Sequence, residues 1–114
     1  MSTLADIAVE RHGGTVVARL SGEVDMTNAP RVREQLLDAV PNDVLALVVD
    51  LGDCRYLDSA AIEVVFDISR RLQRRRQELR LVVPESSPLG RVLVLTDVNS
   101  VAPVHATLES ALGQ

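Results

Sequence analysis

Asp58 and Ser59 stand where an aliphatic strand has given way to an amphipathic run. A hydroxyl beside a carboxylate at such a place can attack, accept a transferred group, or cap a helix. Glu23, Asp25 and Asp53 add carboxylates in strand-to-helix turns, and His12, His105 and Cys54 complete the reactive side chains. A catalytic serine needs a nearby base and an oxyanion hole. The only histidines are His12, in an expected hairpin turn, and His105, near the C-terminus. Ser59 also lacks the glycine-flanked elbow of hydrolase nucleophiles. There is no Walker-type loop or dinucleotide fingerprint, and the carboxylate spacing matches no calcium loop. An enzyme is therefore not expected, and neither a metal nor a cofactor.

Each of these residues also has an ordinary use. Ser at a helix start accepts a backbone N–H, worth roughly 0.5–2 kcal/mol over Ala. Asp58 would cap equally well and would favour the positive end of the helix dipole. Glu23 and Asp25 read as a solvated loop pair, and Cys54 as a small apolar filler. The tail RRLQRRRQELR carries six Arg between residues 70 and 80, read as a solvated surface near the carboxyl end of a helix.

Composition narrows the function further. The 114 residues suit one domain spanning 1–114, with one core. Hydrophobic residues are 46% but aromatics only 2%, so the core must be aliphatic, as in a sheet covered on both faces. Scarce aromatics and a net charge of −4 argue against nucleic-acid binding. The 12 basic residues are all Arg, which reads as base composition of the gene rather than mechanism. A single Cys excludes an intrachain disulfide. With no secretory signal and no apolar run of about 18 residues, a cytoplasmic protein without membrane insertion is expected.

The elements that would position Asp58 and Ser59 follow from periodicity. Residues 6–11 and 15–24 alternate around His12-Gly13-Gly14 and predict a hairpin. Thr27, Asn28 and Pro30 start a helix whose inner face is Val32, Leu36, Leu37 and Val40. Residues 44–51, VLALVVDL, read as a central strand buried on both faces, and Gly52 to Asp58 as a loop. The helix after it places Ala61, Val65, Ile68 and Leu72 on one face. Residues 79–84 form another strand. A short helix after Ser87-Pro88 places Leu89, Val92 and Leu95 at helical spacing, and 102–105 and 107–112 read as a last strand and helix. The order ββαβαβαβα implies an α/β fold with a mixed, mostly parallel sheet and right-handed crossovers. If strands 15–24 and 44–51 are parallel neighbours, Glu23, Asp25, Asp53, Asp58 and Ser59 share one acidic edge.

In this order the segments resemble the STAS domain, and most closely the bacterial anti-sigma factor antagonists. The resemblance rests on Gly22-Glu23-Val24-Asp25, on the strand ending Asp50-Leu51, on Tyr56-Leu57-Asp58-Ser59-Ala60-Ala61-Ile62, and on RVLVLTDV at 91–98. It covers nearly the whole chain. It implies a single STAS-like domain with about four helices. It also implies a protein that binds an anti-sigma factor serine kinase when unphosphorylated and so frees a sigma factor. Phosphorylation of Ser59 would switch it off, and a serine phosphatase would restore it. The partner surface implied comprises Glu23, Asp25, Asp58, Ser59, Ala60, Ala61 and Ile62.

The motif departs from the family at two places. Ala60 replaces a second hydroxyl, leaving Ser59 as its one acceptor. Ala61 replaces a glycine, adding a methyl where a kinase backbone would approach. Asp97 also stands for a helix-ending glycine, where Asp can adopt a left-handed conformation. Two other readings compete: a STAS accessory subunit of an ABC-type phospholipid transporter, towards which Ala60 leans, and a nucleotide-binding domain, for which no phosphate cradle is visible.

Overall fold

Gly13 takes φ 60°, a left-handed conformation that costs glycine little, and with Gly14 it reverses the chain between the first two strands. In the computed structural model, which describes residues 5–113, β1 (Ala5–His12) runs antiparallel to β2 (Thr15–Val24), with His12 opposite Thr15 and Ala5 opposite Gly22. The ends of the expected 1–114 domain, residues 1–4 and 114, lie outside the described residues. The chain continues through α1 (Ala29–Asp38), β3 (Ala46–Asp50), β4 (Cys54–Leu57), α2 (Ser59–Arg74) and β5 (Glu78–Val82). It ends with α3 (Gly90–Leu95), a 3-10 turn (Val98–Ser100), β6 (Val104–His105) and α4 (Leu108–Ala111).

The sheet order is β1-β2-β3-β5-β6, and every pairing after the hairpin is parallel. Strand β3 pairs with Thr15–Arg19 of β2, and β4 takes over alongside Gly22–Val24. This is the α/β fold with a mixed sheet, N-terminal hairpin and four helices that the pattern predicts.

Two expectations need correction. Gly52 to Asp58 is not all loop, because Cys54–Leu57 forms β4. Its signal was hidden by length and pattern. Cys54 and Leu57 are buried and Arg55 and Tyr56 exposed, and β2 shifts register between Gly22 and Glu23, so period-2 alternation is lost. In the helix after Pro88, Leu89 and Leu93 point inward at i, i+4 spacing, which turns Leu95 outward to 73% exposure.

Strands β3 and β5 explain why aliphatic residues suffice. Leu47, Val49, Leu79 and Leu81 face a large core shared with α1, α2 and α3. Val17, Val48 and Val82 face the opposite side, where α4 covers them with Ala111 and its partly buried Leu108 and Leu112. Burying each such side chain is worth about 1.5–3 kcal/mol. Neither aromatic is fully buried: Phe66 packs against the large core and Tyr56 is half-exposed. No helix among the described residues is long and apolar enough to cross a membrane.

Candidate functional site

Pairing of Val24 with Leu57 brings two chain ends side by side at the carboxyl edge of the sheet. The next residues are Asp25 and Asp58, and the Asp58 N–H donates to Val24 O at 3.2 Å. Asp58 has extended backbone (φ −93°, ψ −173°) and is the N-cap of α2. Its Oδ1 accepts from Ala61 N at 3.0 Å, and its Oδ2 accepts from Met26 N, also at 3.0 Å. One carboxylate therefore caps α2 and clamps the β2–α1 loop beside it.

Ser59 is left without a structural task. It is the first residue of the 16-residue α2, exposed, and its hydroxyl makes no hydrogen bond with any described residue. Neither histidine is engaged with it. His12 Nε2 lies 2.9 Å from Glu10 Oε2, and His105 Nδ1 lies 2.8 Å from Ser110 Oγ.

The companion loop is locked from within. Asp25 accepts from the backbone N–H and the hydroxyl of Thr27. These bonds hold its carboxyl below the ordinary range, the hydroxyl contributing most. Asn28, expected to help cap α1, makes no side-chain cap bond there. It is 8% exposed and turns back: its Nδ2 donates to Glu23 O and its Oδ1 accepts from Asp25 N, both at 3.0 Å. Gly22 adopts φ 95° and donates its N–H to Asp53 O at 3.0 Å, tying the β3–β4 turn to the same edge.

Glu23, Asp25, Asp53, Asp58 and Ser59 are thus gathered at one edge of the sheet. Sequence reading missed Arg55, whose Nη2 lies 4.0 Å from Glu23 Oε2 and offsets part of the acidity. Two residues of the implied partner surface lie inward. Ala61 and Ile62, expected at the partner surface, are 2% and 7% exposed and belong to the core. Ala60 is partly buried and faces the cleft beside α1. Cys54 is buried, and desolvation pushes its thiol pKa up, as suits an apolar filler.

That cleft was not foreseen. It holds about 670 Å³ between α1 and α2, and its lining includes Met26 and Ala60, the latter next to Ser59. Arg33 of α1 and Arg70 and Arg71 of α2 line it, all near Asp67, at 3.9, 3.6 and 3.2 Å. The Asp67–Arg70 and Asp67–Arg71 spacings (i, i+3 and i, i+4) were visible; the position of Arg33 opposite them depends on how the helices pack.

A family model for the STAS domain matches residues 6–111. The chain belongs to the STAS domain family. It is similar to an anti-sigma F factor antagonist of Paenibacillus polymyxa, 25% identical over 107 residues that cover 93% of this chain and 91% of that one. It is similar also to the anti-sigma-F factor antagonist RsfB of Mycobacterium tuberculosis, at 26% over 107 residues covering 93% and 85%. Among solved structures, an anti-sigma factor antagonist from Mycobacterium paratuberculosis superposes with a TM-score of 0.83 at 28% identity, covering 96% of this chain and 92% of that one.

The STAS edge of this chain offers a hydroxyl, ordered carboxylates and backbone. Among the described residues, no three His, Cys, Asp or Glu side chains are grouped to hold a metal ion.

Proposed function

We propose that this STAS domain is an anti-sigma factor antagonist whose unphosphorylated form binds an anti-sigma factor serine kinase through the Ser59 edge, freeing a sigma factor. The kinase transfers the γ-phosphoryl group of ATP to Ser59 Oγ, releasing ADP and the hydroxyl proton. A serine phosphatase hydrolyses the ester. The chain acts as a binding protein and not as an enzyme.

The observation that carries this reading is the division of labour at the head of α2. Asp58 does the capping, so the exposed Ser59 hydroxyl is available at no structural cost. A second hydroxyl at this edge, that of Thr27, is held by Asp25. The antagonist names of the similar proteins support the same reading. They favour it over the transporter accessory subunit.

Phosphorylation adds about −1.5 to −2 charge at neutral pH. The N-terminus of α2 tolerates it through free N–H groups and the helix dipole. The partner surface, in contrast, gains that charge beside Glu23, Asp25 and Asp58. The switch then works by repulsion and blocking at the interface, with the fold unchanged. Ala61 and Ile62 contribute by shaping the helix start from beneath rather than by touching the partner.

The test is transfer. The chain is incubated with each anti-sigma factor kinase of its source organism and ATP, and the product is mapped by mass spectrometry. Phosphate on Ser59, absent in Ser59→Ala, is expected. No transfer from any kinase, or transfer to another residue, would overturn the proposal.

A further inference from the structure

We propose that the α1–α2 groove is a second half of the partner surface and takes an acidic, apolar-faced segment of the protein that binds the Ser59 edge. This rests on the reading of that edge as a partner surface.

The two regions adjoin, because Ala60 lines the groove and follows Ser59, and Met26, which also lines it, donates its backbone N–H to Asp58. Their charges are opposite. Four carboxylates (Glu23, Asp25, Asp53 and Asp58) face one guanidinium, Arg55, at the edge. In the groove three guanidiniums face two carboxylates, Glu63 and Asp67. That inversion stands out in a chain of net charge −4.

Inside the groove the guanidiniums are incompletely used. Arg33, Arg70 and Arg71 crowd one carboxylate at ion-pair distances, yet none makes a hydrogen bond to it. Asp67 Oδ2 is enclosed without a hydrogen-bond partner although Arg71 Nε stands 3.2 Å away, off the bonding axis. The three side chains keep 37%, 59% and 50% exposure. Each planar fork can bind a carboxylate through two parallel N–H groups, so an incoming carboxylate finds donors that Asp67 does not occupy.

The groove also has apolar footing. Met26 is 74% exposed, and Ala60, Val64 and Phe66 lie along the same cleft. A segment with one apolar face and a Glu or Asp at its margin satisfies both features. Opposite charges at edge and groove further fix the orientation in which a partner can dock, since reversing it would set like charges together.

The experiment uses the full chain and the kinase that phosphorylates Ser59. Binding is measured by calorimetry for the wild type, Arg70→Gln/Arg71→Gln, Arg70→Glu/Arg71→Glu and Ser59→Asp, with circular dichroism confirming each fold. The Glu pair is expected to weaken binding by about tenfold or more and the Gln pair by less. The Arg33, Arg70 and Arg71 Nε–H signals should shift in the complex. Unchanged affinity in both pairs, with Ser59→Asp still blocking, would overturn the groove and leave the edge standing. Binding indifferent to Ser59→Asp would overturn the edge reading instead, and the groove with it. If millimolar inorganic phosphate alone shifts the same three signals and displaces the kinase, the groove is a small-anion site and the proposal fails.

Discussion

Asp58 and Ser59 are neighbours with different tasks, and substitutions should separate them. Asp58→Ala removes the cap of α2 and the clamp on Met26 together. It should cost about 1–2 kcal/mol in urea unfolding. Ser59→Ala removes no hydrogen bond and should stay within about 0.5 kcal/mol of wild type; a larger loss would mean that Ser59 shares in capping. Asp25 makes a pH prediction. Its carboxyl is held low by Thr27, so its stabilising contribution is present above the unfolded value of about 3.9 and is lost as pH falls through the lower folded value. The difference in urea midpoint between wild type and Asp25→Asn should therefore shrink below about pH 4.

At the scale of elements, the end of α2 carries an unexpected residue. Gln77 N donates to Leu72 O and Arg76 N to Gln73 O, the paired bonds of a Schellman motif, with Arg76 at φ 60° where glycine is usual. Arg76→Gly should raise stability by up to about 1 kcal/mol in denaturant unfolding, strain relief exceeding the added chain entropy. Asp97 follows α3 with φ 61°, the left-handed conformation that its place in the motif implied. The long elements were legible because their periodicity persists. The hairpin keeps one unbroken register over eight residue pairs, and α2 keeps Ala61, Ile68 and Leu72 inward through four turns. Strand β4 and the outward turn of Leu95 were not legible. Each depends on a tertiary neighbour: a register shift in β2 for one, and inward packing of Leu89 and Leu93 for the other.

Across the whole molecule the sheet is covered unequally, by three helices on one face and by the short α4 on the other. Arg80 Nη1 donates to Ala111 O at 2.8 Å and holds the end of α4 where the helix dipole is negative. Arg80→Ala should speed hydrogen exchange in Leu108–Ala111 while leaving α2 protected; equal loosening of both would mean that the two faces open together. Global placement also limited what could be read of the site. Order along the chain placed Glu23, Asp25, Asp53, Asp58 and Ser59 at one edge, because parallel strands deliver their carboxyl ends together. The placement of Arg33 opposite Arg70, by contrast, is decided by packing between helices. Because the cap belongs to position 58 and the unbonded hydroxyl to position 59, adjacent codons answer to separable pressures. On the function proposed above, drift at the second would silence the switch and still leave a folded protein, whereas drift at the first erodes the fold itself.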